Sequence, residues 1–110
     1  MARILIPIAP GSEELEAVTL IDLLRRAGFA VTVAGLEPGP VTCSRGTRLL
    51  PDVALAEVLG ETFDLVVLPG GLPGADHLRD DSRIRELLQR HAEADRYTAA
   101  ICAAPKVLAA

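Results

Sequence analysis

The sequence predicts an α/β fold in which helices cover both faces of a mostly parallel sheet. Short runs of consecutive apolar residues, typical of strands buried on both faces, alternate with segments of helical periodicity. Strands separated by helices of about 10–15 residues indicate βαβ units and therefore parallel neighbours. With 110 residues, the chain has room for one domain.

Apolar runs, caps and turn residues define the individual elements. The predicted buried strands span residues 3–8, 30–34, 64–68 and 97–101. A small hairpin is predicted from residues 41–43 and 48–50. The predicted helices span residues 13–27, 55–59 and 82–94. Ser12 and Ser82 are the expected N-caps of the first and last helix, Gly28 ends the first, and the glycine-rich segment before His77 is a predicted loop.

The composition argues against several classes of protein. The formal net charge is −4 and basic residues alternate with acids, so no nucleic-acid-binding stripe is expected. Two phenylalanines, one tyrosine and no tryptophan are too few for a base-stacking platform. No apolar run approaches the roughly 20 residues that span a bilayer. No secretory signal is recognisable, so we expect a cytoplasmic location, where Cys43 and Cys102 stay reduced.

Cys102 is the main candidate for chemistry. Residues 98–101 suit a buried strand, and the following Ala103, Ala104 and Pro105 suit the first turn of a helix, where the missing N–H of proline costs nothing. A cysteine at such a corner faces the positive end of the helix, which favours the thiolate. The alternative is that Cys102 is a small buried apolar residue.

Three loops are expected to meet at the carboxyl edge of the sheet, where parallel α/β folds bind ligands. They span residues 9–12, 69–72 and 102–103. The N–H groups of Cys102, Ala103 and Gly71 could together bind a developing oxyanion, with Gly70 in the same loop. Gly71 suits this task because glycine accepts positive φ and close approach. A tight turn after the strand is the simpler interpretation of residues 69–71.

Glu16 is the candidate proton donor beside Cys102. It lies one step deeper along the first helix than the acids before it, and a half-buried carboxyl beside a thiolate would favour its protonated form. Glu13 and Glu14 are more simply explained as first-turn acids favoured by the helix dipole. His77 and His91 are poor candidates for a catalytic base.

The first helix is apolar over more than half its circumference, which is wider than one core-facing stripe requires. The residues concerned are Leu15, Val18, Leu20, Ile21, Leu23 and Leu24. Such a helix must be covered on a second side, and a partner subunit is the simplest cover.

Four motifs occur at residues 9–18, 42–46, 68–71 and 99–105, and they read APGSEELEAV, TCSRG, LPGG and AAICAAP. Together they resemble the ThiJ/PfpI superfamily, in the branch that contains the parkinsonism-associated protein deglycase and the bacterial protein YajL. The resemblance covers the whole chain and implies a flavodoxin-like three-layer sandwich that dimerises through its first helix. It implies an oxidation-sensitive nucleophile at Cys102, a protonated glutamate at Glu16, and oxyanion donors at Gly71 and Ala103.

The resemblance also implies an activity. Members of this branch are deglycases or glutathione-independent glyoxalases that act on 2-oxoaldehydes and their protein or nucleotide adducts, without a metal or organic cofactor. The second hypothesis is a non-enzymatic redox-sensing chaperone in which Cys102 is oxidised to a sulfinate. The third is a PfpI-type peptidase or amidotransferase-like hydrolase, against which the Ala-Ala-Pro after Cys102 argues.

The resemblance further implies an incomplete domain. The histidine that the family places near its cysteine would lie beyond residue 110, and neither His77 nor His91 matches it. Residues 1–110 are therefore expected to form a ThiJ/PfpI (class I glutamine amidotransferase-like) domain that is incomplete at its C-terminus, apparently truncated just after the helix that follows Cys102 begins.

Overall fold

The structure is a computed structural model that describes residues 2–94 and 97–100. The strands are β1 (Arg3–Ile8), β2 (Ala30–Gly35), β3 (Val41–Thr42), β4 (Arg48–Leu49), β5 (Val53–Ala54), β6 (Leu65–Leu68) and β7 (Tyr97–Ala100). The helices are α1 (Glu14–Arg26), α2 (Leu72–Asp80) and α3 (Ser82–Glu93), with a 3₁₀ helix at Leu55–Glu57. Backbone positions alone are described for β7.

Five strands form one parallel sheet in the order β5-β2-β1-β6-β7. Strands β3 and β4 form a separate antiparallel pair. The sheet grows from β1 in two directions, first through α1 to β2 and later to β6. The carboxyl ends of β1 and β6 therefore mark the point where the strand order reverses, and open α/β sheets bind ligands at such points.

Alternate residues of β1 face two separate cores, as the pleat of a strand requires. Ile4, Ile6 and Ile8 pack towards α1, whereas Leu5 packs in the cluster that contains Leu78 of α2 and residues of α3. The sheet thus lies between one layer made by α1 and another made by α2 and α3. This arrangement confirms the predicted three-layer α/β fold with a mostly parallel sheet.

The predicted strands are confirmed within the described residues, with small shifts at their ends. Residues 30–34 extend to Gly35, and residues 64–68 begin at Leu65. The hairpin of residues 41–43 and 48–50 is also present, as β3 and β4. The last strand is described as far as Ala100, so Ile101, Cys102, Ala103 and the predicted helix after them lie outside the described residues.

Both predicted N-caps were wrong by one residue. The N-cap of α1 is Glu13, whose side chain accepts a hydrogen bond from the backbone N–H of Leu15. Ser12 is buried, and its hydroxyl instead accepts from the N–H of Ala9 at 3.1 Å. The N-cap of α3 is Asp81, because a carboxylate can accept from two N–H groups of the first turn at once.

The prediction missed α2 and treated its residues as a loop. Pro73 and Gly74 both lower helix propensity in general, but a proline in the first turn lacks only an N–H that would have no partner. Gly74 is required by packing, since a Cβ there would lie 2.5 Å from the backbone nitrogen of Ser12. Residues 55–59 were predicted as a helix, and only Leu55–Glu57 of them form a 3₁₀ helix. Strand β5 was not predicted, because its two residues are too few to show a pattern.

The contact at Gly74 leads to a test in which packing and helix propensity oppose each other. Propensity alone would make Gly74→Ala stabilising by about 1 kcal/mol. We expect the variant to be destabilised by about 1–3 kcal/mol, because its methyl group overlaps the backbone of Ser12. Urea denaturation measures the change. Gly60→Ala, where a Cβ meets nothing within 4 Å, is the matched control. A stabilised Gly74→Ala variant would contradict the close packing.

Candidate active site

The start of α1 binds both backbone polar groups of Gly70. The N–H of Glu13 donates to the carbonyl of Gly70 at 2.9 Å. The N–H of Gly70 donates to Oε1 of Glu16, also at 2.9 Å. A residue on the first turn of a helix and a loop 54 positions later in the chain are thereby fixed to each other. The loop of residues 9–12, which leads into α1, and the loop of residues 69–72 therefore meet at the carboxyl edge of β1 and β6, as predicted.

Gly71 has the backbone conformation that the sequence analysis expected. Its φ is +98°, a value that side chains other than glycine rarely adopt. A Cβ at this position would also overlap the backbone nitrogen of Glu13 and lie 2.5 Å from the carbonyl oxygen of Gly11. Conformation and packing therefore both require glycine beside the Glu16–Gly70 hydrogen bond.

Glu14 binds the turn between β3 and β4. Its carboxylate accepts hydrogen bonds from the hydroxyl of Ser44 at 2.9 Å, the N–H of Arg45 at 3.1 Å and the N–H of Thr47 at 3.2 Å. Desolvation opposes ionisation, but these bonds and its own backbone N–H lower the pKa of Glu14 from 4.5 to about 2. Glu14 is therefore an ionised acid with dedicated donors.

The hairpin is bound to the loop after β1 by the backbone as well. The N–H of Gly11 donates to the carbonyl of Thr42 at 3.0 Å, and the N–H of Ser44 donates to the carbonyl of Ser12 at 2.9 Å. The hydroxyl of Ser44 also reaches the carboxylate of Glu13 at 3.1 Å. Glu13 and Glu14 therefore bind the hairpin, in addition to being first-turn acids that the helix dipole favours. No local pattern signals these bonds, because the partners lie about thirty positions apart.

The structure brings three of the five predicted site residues together. Glu16 is half-buried on α1 and contacts Gly70 directly, and Gly71 follows in the same loop. Cys102 and Ala103 lie outside the described residues. The N–H of Gly70 is already engaged by Glu16, which leaves Gly71 as the better candidate of the two for binding a substrate oxygen.

The second cysteine has the properties of an inert thiol. Cys43 is 4% exposed at the end of the hairpin strand. Burial and the negative charges of Glu14 and Glu13 raise the pKa of its thiol, which disfavours the reactive thiolate. Cys43 is therefore a poor nucleophile.

Both histidines contact backbone carbonyls. Nδ1 of His77 lies 2.8 Å from the carbonyl oxygen of Pro10, so this side chain joins α2 to the loop after β1. His91 is buried on α3, with Nδ1 3.2 Å from the carbonyl oxygen of Leu87. Its Nε2 has no hydrogen-bond partner among the described residues and borders a cavity of about 220 Å³. Neither contact resembles a base positioned by a carboxylate.

Metal-binding clusters and membrane-spanning helices are both absent from the described part of the chain. Within residues 2–94 and 97–100, no three His, Cys, Asp or Glu side chains are close enough to hold a metal ion. None of the helices described there is long and apolar enough to cross a membrane.

Comparison with known proteins gives consistent matches. The model of the DJ-1/PfpI family matches residues 2–110. Protein dj-1beta of Drosophila melanogaster is 50% identical over 106 residues, which cover 96% of this chain and 57% of the relative. The Caenorhabditis elegans protein named glutathione-independent glyoxalase DJR-1.2 is 42% identical over 109 residues, or 99% of this chain and 58% of the relative.

A solved structure agrees with the fold. Oxidised Toxoplasma gondii DJ-1 superimposes with a TM-score of 0.94 at 42% sequence identity, over 97% of this chain and 59% of that chain. The flavodoxin-like fold that the motifs implied is therefore confirmed. The chain spans 57–58% of the length of these two curated relatives.

The low pKa of Glu14 predicts how stability depends on pH. A carboxyl whose pKa falls from 4.5 to about 2 on folding stabilises the protein above pH 4.5, and this contribution is lost as the pH falls towards 2. We expect Glu14→Gln to be less stable than the unmodified chain at pH 6 and to lose less stability on acidification. Chemical denaturation from pH 6 to pH 2 measures both effects. Glu86→Gln, at an exposed acid of α3, is the control, and equal acid dependence of all three proteins would contradict the prediction.

Proposed function

Because this chain belongs to the DJ-1/PfpI family, we propose that it carries the nucleophile, the acid and the oxyanion donors of a cysteine-dependent glyoxalase or deglycase. The observation that carries the proposal is the hydrogen bond from Gly70 to Glu16, which fixes a carboxyl beside a positive-φ glycine at the carboxyl edge of the sheet. The relative named a glutathione-independent glyoxalase supports 2-oxoaldehydes as the proposed substrate class. We propose the cytoplasm as the compartment, since thiols remain reduced there.

The proposal assigns the nucleophile to Cys102. Strands β6 and β7 are parallel neighbours, with Leu68 paired to Ala100. Gly70 follows Leu68 by two residues, and Cys102 follows Ala100 by two residues. Because Leu68 and Ala100 are paired in register, the segments that follow them leave neighbouring parallel strands next to each other. This register supports a site shared by the cysteine and the Gly70–Gly71 loop.

The hydrogen bond at Glu16 supports a choice between its two carboxyl oxygens. Oε1 accepts the N–H of Gly70, so a proton on the acid belongs on Oε2. That proton is the one that Glu16 donates to the sulfur or to the substrate. The N–H of Gly71 and that of Ala103 are proposed to bind the substrate oxygen as negative charge develops on it.

The proposed reaction begins when the sulfur of Cys102 attacks the aldehyde carbon of a 2-oxoaldehyde. A C–S bond forms, the π electrons of the carbonyl move to oxygen, and that oxygen takes the proton of Glu16, which gives a hemithioacetal. The Glu16 carboxylate then removes the hydrogen of the former aldehyde carbon as a proton, the electrons of that C–H bond form the C=C bond of an enediol, and the ketone oxygen takes a proton from water. Glu16 returns its proton to the adjacent carbon while the hydroxyl on the sulfur-bearing carbon loses its proton to water, which gives a thioester. Water hydrolyses the resulting thioester to a 2-hydroxy acid and the free thiol.

Atoms and electrons balance within the substrate. One carbon is oxidised from aldehyde to carboxylate and its neighbour is reduced from ketone to alcohol, so the only co-reactant is water. For a deglycase, the same sulfur would displace the amine of an aminocarbinol adduct. The C–N bond breaks as the C–S bond forms, and the amine leaves with the proton of Glu16.

A redox-sensing chaperone is the second candidate. It uses the same thiol, which would be oxidised to a sulfinate bound by the same N–H groups and by Glu16. The burial and raised pKa of Cys43 favour oxidation at the other cysteine. A PfpI-type peptidase or amidotransferase has no such observation in its favour.

We propose that two copies of the chain associate through α1. Leu15, Val18 and Leu23 are 73%, 47% and 58% exposed, although the opposite face of the helix packs in the core. A helix with apolar residues on both sides gains free energy when its outer face is also covered. A second copy covers both outer faces at once.

Replacement of Cys102 tests the proposed chemistry. We expect Cys102→Ser to lower the rate of methylglyoxal conversion to lactate by at least about 100-fold, because a hydroxyl at that position lacks the acidity of the thiol. Glu16→Leu should lower it strongly too, and Glu16→Gln less, since the amide keeps a hydrogen-bond donor. Cys43→Ala is the matched control and should retain the rate. Full activity of Cys102→Ser would exclude the covalent mechanism.

The interface is tested by a charge on the outer face of α1. Val18→Glu should shift the chain from dimer to monomer in size-exclusion chromatography, because a buried unpaired carboxylate is costly at an apolar interface. Gln89→Glu, on the exposed side of α3, should leave the dimer intact. Circular dichroism checks that both variants fold. A Val18→Glu dimer as stable as the parent would place the interface elsewhere.

A further inference from the structure

We propose that Leu72 selects 2-oxoaldehydes whose ketone carries an apolar substituent, an inference that rests on the proposed function. Leu72 directly follows Gly71, the proposed oxyanion donor, and is the first residue of α2. It is 62% exposed, although its neighbours in the sequence are packed against the loop after β1. A large apolar side chain is thus exposed to solvent one residue after the proposed oxyanion donor.

The backbone on either side of Leu72 is fixed by close contacts. Gly71 packs against Glu13 and Gly11 so tightly that a Cβ has no room, and Gly74 packs in the same way against Ser12. Pro73 lies against Gly11. Residues two positions apart on a helix point in nearly opposite directions, so Leu72 points away from the loop that Gly74 contacts. The backbone at Leu72 is therefore fixed, and its side chain is exposed on the opposite side of the helix from Gly74.

The chemistry assigns this surface to the substituent of the ketone. If the substrate oxygen binds the N–H of Gly71, the substituent on the adjacent ketone lies beside the next residue of the chain, Leu72. Contact with an apolar group removes water from both surfaces, and each methylene buried in this way improves binding about fourfold. Glyoxal, which has hydrogen in place of such a group, gains nothing from Leu72. We therefore expect Leu72 to account for a preference for substituted 2-oxoaldehydes over glyoxal.

A thiol-protection experiment measures this preference without requiring turnover. The chain is incubated with glyoxal or phenylglyoxal and then alkylated briefly, and peptide mapping gives the fraction of Cys102 that the aldehyde has protected. For each aldehyde, the concentration that protects half of Cys102 is determined. The ratio of the glyoxal concentration to the phenylglyoxal concentration measures the preference for phenylglyoxal. We expect Leu72→Asn, which is similar in size but polar, to reduce the preference for phenylglyoxal by at least about fivefold. Leu72→Met should preserve it.

Leu50→Asn is the matched control, because this leucine is 78% exposed and lies just beyond β4. A preference lost in Leu72→Asn alone supports the inference. An unchanged preference in Leu72→Asn, with Cys102 still protected, overturns the role of Leu72 and leaves the proposed function in place. Absence of protection by either aldehyde in the unmodified chain overturns the proposed function, and the inference with it.

Discussion

The candidate site depends on two hydrogen bonds made by the backbone of Gly70. Its carbonyl is held by the N–H of Glu13 and its N–H by the carboxyl of Glu16, so the first turn of α1 fixes the loop after β6 from both sides. The next residue, Gly71, has a φ of +98° and packs against the same turn, and its N–H shares a peptide group with the carbonyl of Gly70. The orientation of the proposed oxyanion donor is thus set by two hydrogen bonds and one close contact, all of which involve residues 11–16.

Three acids at the start of α1 have three separate tasks, although the helix dipole favours a negative charge at all three positions. Glu13 caps the helix and also reaches Ser44, Glu14 binds the turn of the hairpin, and Glu16 binds Gly70. Glu14 is ionised with a pKa of about 2, because four donors stabilise its charge against desolvation. Glu16 accepts one hydrogen bond from the described residues, that of the Gly70 N–H, and is the proposed acid. Neighbouring carboxyls therefore serve either as a structural anion or as a candidate acid, according to the donors around them.

Local patterns predicted the elements that local physics determines. The strands were recognisable because consecutive apolar residues suit a strand buried on both faces, and α3 because its apolar residues recur at helical spacing. The same reasoning missed α2, since Gly74 lowers propensity but is needed where the helix touches Ser12. It also misplaced the cap of α1, since the hydroxyl of Ser12 is used by Ala9. The bonds of Glu14 to the hairpin depend on tertiary contacts that no local pattern encodes. Glu16 and Gly71 were proposed from their places on the first helix and in the Pro-Gly-Gly loop, and the resemblance of whole motifs implied the same two residues.

Helix α1 connects the proposed assembly to the proposed chemistry. One face packs on the sheet through Ala17, Leu20 and Leu24, and the opposite face exposes Leu15, Val18 and Leu23. Its first turn carries Glu16 and holds the Gly70 loop. Hydrogen bonds at the end of a helix weaken when the helix frays, and a covered helix frays less than an exposed one. Association of two copies through the outer face would therefore stabilise the same turn that positions the acid, and the geometry of the site would depend on the assembly without any residue being shared between subunits.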